Sequence, residues 1–585
     1  MNINDIHSPA DIKKLGLDEL TDVCAQLRAA LLTKLSRHGG HVGPNLGMLE
    51  ATVAMHYVFD FHKDKVVFDV SHQCYVHKML TGRMRSFTDP AHYNDVSGYT
   101  NPKESDMDMF TIGHTSTGVS LAGGLAKARD LKGDKENIIA VVGDGSLSGG
   151  EAFEGLDYAA TLGSNFIIVV NDNEMSIAED HGGLYSNLKE LRETNGQCEC
   201  NYFKAMGLDY RYVAYGNDLR ELIKAFEEVK DVDHPVVLHV HTQKGEGYGP
   251  AEVHRERFHF SAPFDIATGD PLNMNEDEDY GDVTASHLLK MMKEDKTVVA
   301  ITAGTPGVIG FNADRRKEAG KQFVDVGIAE QEAVALASGI AKGGCKPFFG
   351  VVSSFVQRAY DQLSQDMAIN STAPVIGIFY GTVLGMNDVT HLGWFDIALI
   401  SNIPNVVYLA PTCKEEYLAM LDWAMKQNDY PVVLRVPGAS VVESGKEYPK
   451  DYSDLNKYMV EQRGKDVAVI AAGSFYQRGE DVVKLLAHVG VKASLINPRY
   501  LSGLDTELLD ELKKDHKLVV TLEDGVLDGG FGEKIARYYG TDKQMMVKCY
   551  GVKKEFADRY NYQEILTQNR LMPEQIADDV KALLK

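Results

Sequence analysis

Two stretches, Asn137-Ile-Ile-Ala-Val-Val-Gly-Asp-Gly-Ser146 and Phe166-Ile-Ile-Val-Val-Asn-Asp-Asn173, decide the fold of this chain. Each begins as a short run of mostly β-branched apolar residues, and a helical pattern over 151–162 separates them. Strand, helix and strand in this order predict a βαβ unit with two parallel strands. Because ligands bind at the carboxyl ends of parallel strands, we expect Asp144 and Asn173 to lie side by side at that edge.

The polar residues at these strand ends indicate a site for magnesium and a diphosphate. A carboxylate oxygen of Asp144 and an amide oxygen of Asn173 are hard ligands of the kind that Mg²⁺ prefers. The glycines on both sides of Asp144 let backbone N–H groups approach a diphosphate without a clash from Cβ. A glycine turn with an incidental acid would account for Gly-Asp-Gly alone, but the paired asparagine at the next strand end favours a binding site.

The same alternation of short β-branched runs and helical patterns continues in two further blocks. Polar stretches over 265–282 and 443–465 separate the three blocks, and the first of them contains Asn275-Glu-Asp-Glu-Asp279. The predicted strands of the later blocks cover 297–302, 374–379, 466–472, 492–497 and 518–522. Strands that alternate with helices are typical of parallel sheets, so we predict an α/β protein with three doubly wound domains and mainly parallel sheets.

Composition and charge narrow the class of protein. The net charge is −24 over 585 residues, and such an acidic surface argues against a nucleic-acid partner. No run approaches the roughly eighteen apolar residues that a membrane helix needs, and residues 1–5 do not begin a signal peptide. The seven cysteines include no C-x-x-C pair, which indicates free thiols in a reducing cytoplasm. We therefore expect a cytoplasmic protein that acts on small molecules, without a membrane partner.

Six strings carry a resemblance to a known family. They are Gly39-Gly-His-Val-Gly-Pro-Asn-Leu-Gly47, Asp69-Val-Ser-His-Gln-Cys-Tyr-Val-His-Lys78, Gly113-His-Thr-Ser-Thr117, Asn171-Asp-Asn-Glu-Met-Ser-Ile177, Asp325-Val-Gly-Ile-Ala-Glu-Gln331 and Phe355-Val-Gln-Arg-Ala-Tyr-Asp-Gln362. Together they resemble the 1-deoxy-D-xylulose-5-phosphate synthases, a transketolase-like family of enzymes that use thiamine diphosphate (ThDP). The resemblance runs in order through nearly the whole chain and is clearest in its first two blocks.

This resemblance implies a fold, two cofactors and a reaction. It implies a diphosphate-binding domain over 1–275, a pyrimidine-binding domain over 283–442 and a transketolase C-terminal-like domain over 460–585. The implied cofactors are ThDP and Mg²⁺, and the implied assembly is a homodimer. The implied reaction is decarboxylation of pyruvate and transfer of the two-carbon unit to glyceraldehyde 3-phosphate, which feeds isoprenoid and thiamine biosynthesis.

The resemblance also assigns roles to individual residues. The implied metal ligands are Asp144, Asn173 and Met175. The implied cofactor contacts are His72, His114, Thr115, Ser116, Gly145, Ser146, Asn173, Tyr248, Glu330 and Phe355. The implied catalytic residues are Glu330, His41, His114, His259, His391 and Arg358. Glu330 would hydrogen-bond the aminopyrimidine of ThDP, the histidines would move protons, and Arg358 would lie near a substrate carboxylate or phosphate.

The sequence departs from the family pattern at the acceptor end of the site. Val352 stands where the family carries a tyrosine, and Tyr380 and Gly438 stand where it carries two arginines that bind the acceptor phosphate. The family also carries an acid in the stretch that corresponds to 385–391. In this chain Asn387 stands at that position, or the acid has moved to Asp388. The segment over 187–203 is also shorter than in the family.

These departures leave two alternatives for the acceptor. A charge-assisted contact to a desolvated phosphate contributes roughly 1.5–3 kcal/mol, so two lost arginines need replacement. Either Arg358 and Arg435 have taken over, or the enzyme is a related carboligase or transketolase with another aldehyde acceptor or a ketose donor. A non-catalytic paralogue is a third hypothesis, disfavoured because Glu330, Asp144 and Asn173 are all present.

Overall fold

A computed structural model describes residues 1–273, 277–438 and 440–585. The chain forms two compact units, Met1–Glu276 with Val326–Ala329, and Asp277–Asp325 with Glu330–Lys585. Part of the predicted first linker, Asn275-Glu276, lies outside the described residues.

The first unit is built on one parallel sheet. Its strands are β1 (Lys65–Phe68), β2 (Ile138–Gly143), β3 (Phe166–Asp172), β4 (Asp209–Val213) and β5 (Pro235–His241), in the order β1-β2-β3-β5-β4. Its helices of seven or more residues are α1 (Leu17–His38), α2 (Leu49–Val58), α3 (Gly118–Lys132), α4 (Gly150–Ala159), α5 (Gly183–Glu193) and α6 (Leu219–Val229). The predicted βαβ unit is therefore confirmed as β2, α4 and β3.

Burial on both faces explains why β2 and β3 are continuously apolar. Alternate side chains of a strand point to opposite faces of its sheet. In β2, Ile139 and Val141 pack into one apolar cluster, whereas Ile138, Ala140 and Val142 pack into another. A parallel sheet covered on both faces needs apolar residues at every position, and its polar groups are left for the strand ends.

The second unit contains two sheets. The first has the strands β6 (Val298–Thr302), β7 (Phe323–Asp325), β8 (Lys346–Val352), β9 (Val375–Phe379), β10 (Val407–Leu409) and β11 (Val432–Arg435), in the order β10-β11-β9-β8-β6-β7. The second has β12 (Met459–Gln462), β13 (Asp466–Ala471), β14 (Ser494–Asn497), β15 (His516–Val526) and β16 (Met546–Val552), in the order β12-β14-β13-β15-β16. We call these the middle sheet and the C-terminal sheet.

Helices accompany both sheets of the second unit. Those of seven or more residues are α7 (Tyr280–Glu294), α8 (Ala313–Ala319), α9 (Glu330–Lys342), α10 (Lys414–Lys426), α11 (Tyr476–His488), α12 (Thr506–Leu512), α13 (Phe531–Tyr539), α14 (Tyr562–Gln568) and α15 (Pro573–Leu583). All strand pairs of the middle sheet are parallel, and only β12 pairs antiparallel in the C-terminal sheet of the described chain. The predicted α/β class with mainly parallel sheets is confirmed.

The edge strand β12 was not predicted, because it falls within the polar stretch over 443–465. Most of its side chains are exposed, so it lacks the apolar run that marks an interior strand. All seven cysteines are free thiols, as expected. None of the described helices combines the length and the apolar character required to span a bilayer.

Candidate cofactor and metal site

The parallel pairing of β2 and β3 brings Asp144 and Asn173 together at one edge of the first sheet. Gly143 is opposite Asn171 in the register, so the residues that follow each strand lie side by side. The backbone N–H of Asn173 donates to Asp144 Oδ2 at 2.9 Å, and that of Met175 donates to the same oxygen at 3.3 Å. The adjacency predicted from the sequence is confirmed.

The charges at this edge fit a bound cation. Asn173 Oδ1 is buried without a hydrogen-bond partner among the described residues. Burial, with Asp180 and Asp172 nearby, raises the pKa of Asp144 well above its ordinary value. Burial and Asp172 likewise raise the pKa of Asp180 to about 7. Buried carboxylates that repel one another are costly, and a divalent cation on oxygen ligands would compensate their charge.

Few charged side chains are available as metal ligands around Asp144. In the ranges that the structure covers, no group of three or more His, Cys, Asp or Glu side chains could hold a metal ion. A metal at Asp144 would therefore take its other ligands from the amide of Asn173, from backbone carbonyls and from a cofactor's phosphates. This is the pattern of Mg²⁺ sites, which seldom use an all-protein cage.

The turn after β2 forms a close-fitting backbone cradle. A Cβ added at Gly145 would lie 2.7 Å from Ser176 Oγ and 3.0 Å from its Cα, so this position requires glycine. Ser116 Oγ donates to the carbonyl of Ser146 at 2.9 Å, which fixes the loop over 113–117 against the turn. The predicted diphosphate contacts Ser116, Gly145 and Ser146 are thus adjacent, with Thr115 next to Ser116 in the same loop.

A buried aspartate holds the loop over 113–117 in its conformation. Asp69 accepts the backbone N–H of Ser116 at 2.9 Å and that of Gly118 at 2.8 Å. Ser116 has a φ of 77°, in the left-handed region that non-glycine residues seldom adopt. Strain of this kind persists only where surrounding contacts enforce it, and it is common at ligand sites. His114 and Thr115 are carried by this loop and are half-buried.

Three of the predicted histidines form a second cluster in the first unit. The ring of His41 is centred 4.9 Å from that of His72 and 5.6 Å from that of His259. The rings of His72 and His259 are 5.1 Å apart. Burial, with the positive charge of Lys244 nearby, lowers the pKa of His259 well below its ordinary value. His259 is therefore neutral at physiological pH and able to accept a proton only at high cost.

Lys244 and Asp180 are two members of this region that the sequence did not reveal. Lys244 Nζ lies 3.3 Å from His259 Nδ1, and it also donates to the carbonyl of Ser176. Burial lowers the pKa of Lys244 to about 8. The sequence offered one signal for Lys244, which is four residues before the predicted cofactor contact Tyr248, whereas Asp180 had no signal beyond its closeness to Asn173.

Tyr248 is placed differently from the other predicted cofactor residues. Its ring packs in an aromatic cluster with Phe258 and Phe264, at centroid distances of 5.7 and 5.9 Å. Its hydroxyl donates to the carbonyl of Ile266 at 3.0 Å. The structure therefore gives Tyr248 a packing role, and its contact with a cofactor stays a prediction.

The predicted residues of the second unit lie at the carboxyl ends of middle-sheet strands. Glu330 is the first residue of α9 and is 2% exposed, and burial raises its pKa above the ordinary value. Arg358 Nη1 lies 3.4 Å from Glu330 Oε2. The ring of Phe355, just after β8, is centred 5.4 Å from that of His391, in the loop after β9. The structure thus pairs Glu330 with Arg358 and Phe355 with His391.

Arg435 is unable to replace a lost phosphate-binding arginine. Its guanidinium is 3% exposed and forms a two-point ion pair with Asp396, at 2.7 and 3.1 Å. Its Nη2 also donates to the backbone carbonyl of Asp524 at 2.6 Å. The structure therefore disfavours Arg435 as a ligand of the acceptor phosphate, because the side chain is buried and its Nε and Nη2 donors are used inside the protein.

We predict that Arg435→Leu lowers the free energy of unfolding of the second unit by about 3–5 kcal/mol, because Asp396 would stay buried without its partner. Urea unfolding followed by tryptophan fluorescence measures this loss. Adding Asp396→Asn to the variant removes the unpaired charge and should recover much of the stability. A normal unfolding curve with a raised KM for a phosphorylated acceptor would contradict the structural role.

Comparison with known proteins identifies the class of protein to which this chain belongs. Residues 3–200 match the family model described as 1-deoxy-D-xylulose-5-phosphate synthase. Residues 277–441 match the transketolase pyrimidine binding domain, and residues 456–576 match the transketolase C-terminal domain. The chain is therefore a transketolase-like enzyme of the transferase class, in a group that depends on ThDP.

Full-length relatives identify the family within that class. A protein of Symbiobacterium thermophilum is 36% identical, over 100% of this chain and 95% of its own length. One of Clostridium acetobutylicum is 36% identical, over 94% of both chains. Both are named 1-deoxy-D-xylulose-5-phosphate synthase. This chain belongs to the 1-deoxy-D-xylulose-5-phosphate synthase family.

Proposed function

We propose that this enzyme decarboxylates pyruvate and transfers the remaining two-carbon unit to glyceraldehyde 3-phosphate, giving 1-deoxy-D-xylulose 5-phosphate. The observation that carries the proposal is the pair of Asp144 and Asn173, with its unsatisfied amide oxygen, beside the glycine cradle of the first unit. An amide oxygen that is buried without a partner costs free energy, and a bound cation would satisfy it. Membership of the family supplies the reaction.

The first unit would hold the metal and the diphosphate end of the cofactor. Asp144, Asn173 Oδ1 and the carbonyl of Met175 would bind Mg²⁺, which would also take oxygens of the diphosphate. Gly145, Ser146 and Ser116, which are adjacent to one another, are our first candidates for contacts with the diphosphate, and Thr115, His72 and His114 are further candidates. When bound, ThDP supplies the carbon that adds to the donor carbonyl and accommodates the charge left after loss of CO₂.

Our candidates for contacts with the pyrimidine of the cofactor are Glu330 and Phe355. Glu330 is buried in a low-dielectric surrounding, where its raised pKa lets the carboxyl hold or share a proton with a ring nitrogen. Arg358 is close enough to limit that shift and to keep the carboxyl oriented. Phe355 offers a flat apolar ring for stacking against the pyrimidine.

Histidines would move protons during the reaction. His41 and His259 lie in one cluster with His72, and His41 is our first candidate for proton transfer. The lowered pKa of His259 keeps that ring neutral, which suits a hydrogen bond to a substrate oxygen better than a fixed positive charge. We assign His114 and His391 to the same work.

A second candidate function, with a different aldehyde acceptor, is favoured by one observation. Arg435 is committed to Asp396 and Asp524, and so cannot replace either arginine that the family places at the acceptor phosphate. Tyr380, at one of the two positions, packs against the core of the middle sheet. Of the two arginines considered from the sequence, Arg358 is then the remaining candidate for binding the acceptor phosphate. It already pairs with Glu330.

Product analysis by NMR distinguishes these functions. The enzyme is incubated with ¹³C-labelled pyruvate, ThDP and Mg²⁺, with and without glyceraldehyde 3-phosphate. Rapid formation of deoxyxylulose phosphate supports the first function. Release of CO₂ that this acceptor does not accelerate supports the second and calls for a screen of unphosphorylated aldehydes. Absence of CO₂ release would refute both.

We also propose that the enzyme is a cytoplasmic homodimer. Large apolar side chains lie exposed on each unit, among them Phe153 (50%) and Tyr158 (44%) on α4, and Ile369 (65%) in the second unit. The two exposed aromatic side chains on α4 support a contact between chains there, because aromatic residues are enriched at such interfaces. Light scattering coupled to gel filtration should give twice the mass of 64.5 kDa. A single-chain mass at micromolar concentration would contradict the dimer.

A further inference from the structure

A chain of three side chains ends at the predicted catalytic His391. The carboxylate of Asp388 accepts a hydrogen bond from the hydroxyl of Thr390, and Thr390 Oγ1 lies 2.7 Å from His391 Nδ1. Asp388 Oδ1 also accepts the backbone N–H of Thr390 at 2.8 Å. Burial alone would raise the pKa of Asp388, but hydrogen bonds from Thr390 and the nearby ring of His391, whose Nδ1 lies 3.6 Å from Asp388 Oδ1, hold it below the ordinary value. Asp388 is therefore ionised.

The donors and acceptors of this chain fix a tautomer. An ionised carboxylate can only accept, so the single hydroxyl proton of Thr390 points at Asp388. The oxygen of Thr390 must then accept from His391, which places a proton on Nδ1. In the neutral ring, the lone pair is on Nε2.

Contacts from the segment between β16 and α14 hold the loop that carries these residues. Asn387 Nδ2 donates to the carbonyl of Tyr560 at 2.9 Å, and the carbonyl of Asn387 accepts the N–H of Arg559 at 2.7 Å. The N–H of Val389 donates to Asp558 Oδ1 at 3.3 Å. A carboxylate at position 387 would be unable to donate to the carbonyl of Tyr560. The amide of Asn387 can make this hydrogen bond and so holds the loop in place.

The start of the same loop is held separately. Asp524 Oδ1, at the end of β15, accepts the N–H of Val383 at 2.8 Å. The hydroxyl of Tyr560 donates to the carbonyl of Val383 at 2.9 Å. The loop is thus held by β15 and by the segment between β16 and α14, and a side chain within it has a defined direction.

We propose that Asp388 is a positioning residue that, through Thr390, holds His391 as the tautomer protonated at Nδ1. The inference rests on the proposed function, in which His391 moves a proton. With Nδ1 committed to Thr390, Nε2 is the atom that accepts a proton from a reacting hydroxyl or returns it. Of the two residues that could have taken the place of the family's acid, Asn387 fastens the loop and Asp388 orients the histidine.

The first test observes the tautomer directly in the full-length holoenzyme. Histidine labelled with ¹⁵N at both ring nitrogens gives distinct shifts for protonated and unprotonated nitrogens, and a His391→Gln sample assigns the signal. We expect Nδ1 of His391 to be protonated at neutral pH. A ring protonated at Nε2 alone would overturn the inference, whatever the activity of the enzyme.

The second test removes the hydroxyl of Thr390 and leaves Asp388 and His391 in place. Thr390→Val keeps the size of the side chain and loses the hydroxyl, whereas Thr390→Ser keeps the hydroxyl as a matched control. We expect Thr390→Val to lower kcat about 100-fold with an unchanged KM for pyruvate, and Thr390→Ser to stay within about threefold of wild type. In Thr390→Val the Nδ1 signal should lose its protonated shift.

The outcomes separate this inference from the proposed function. If wild-type enzyme does not turn over pyruvate, the proposed function fails, and the ¹⁵N shifts still decide the tautomer. If turnover is normal but Thr390→Val behaves as wild type in both rate and shifts, the positioning role is refuted and the proposed function stands. Melting curves of both variants check that the fold is intact.

Discussion

Replacing Glu330 by glutamine should lower kcat by about a thousandfold or more, because a positioned carboxyl that exchanges a proton contributes on this scale. Glutamine has the same shape and can hydrogen-bond, but it cannot take up or release a proton. Glu330 is 2% exposed and pairs with Arg358, so the substitution keeps the shape of one buried group and removes the charge that faces Arg358. Steady-state CO₂ release from pyruvate measures the loss.

The stability of the same variant gives an independent check with a defined sign. Burial raises the pKa of Glu330 above its ordinary 4.5, so the folded state binds the proton more tightly than the unfolded state. Wild-type stability therefore falls as pH rises above about 4.5, and Glu330→Gln lacks this loss. The variant should match wild type at pH 4 and melt at an equal or higher temperature at pH 8. Glu332→Gln, on the exposed side of α9, is the matched control and should keep normal turnover.

Replacing Asp144 by asparagine should abolish binding of the metal and, with it, of ThDP. The substitution removes the carboxylate next to Asn173 and leaves amides, which bind Mg²⁺ weakly. A ligand at a hundredfold excess over its Kd stabilises a folded protein by about 2.7 kcal/mol. Wild-type enzyme should therefore melt at a higher temperature with ThDP and Mg²⁺ than without them, whereas Asp144→Asn should show no shift.

Two controls make this result specific to the site. Asp157→Asn removes an exposed carboxylate on α4 and should keep the full thermal shift. Excess EDTA should remove the shift from wild-type enzyme and leave Asp144→Asn unchanged. A full shift in Asp144→Asn would show that the cofactor binds without this carboxylate and would refute the assignment.

The sequence predicted the site best where the residues lie close to predicted strands. Asp144 and Asn173 follow apolar runs that could only be buried parallel strands, and the register of two such strands leaves one arrangement for the residues after them. The resemblance added Glu330 and the histidines, whose strings match the family in order. The structure buries Glu330 and brings His41, His72 and His259, which are half-buried, into one cluster.

The sequence failed where a side chain's partner is distant along the chain. Arg435 was a candidate for the acceptor phosphate, but Asp396 and Asp524 occupy its donors. Lys244 and Asp180 were missed because burial, rather than a local pattern, gives them shifted pKa values. The choice between Asn387 and Asp388 depended on Tyr560, which lies 173 residues further on.

By itself, the sequence determined the α/β class, the βαβ unit around Asp144 and the family of the enzyme. These follow from patterns within a few tens of residues, because short segments of the sequence are enough to indicate buried strands and helices. Only the tertiary structure decided which charged groups are satisfied inside the protein and which remain for a ligand. That distinction depends on contacts between distant segments, such as Arg435 with Asp524 and Asn387 with Tyr560, and no local pattern specifies them.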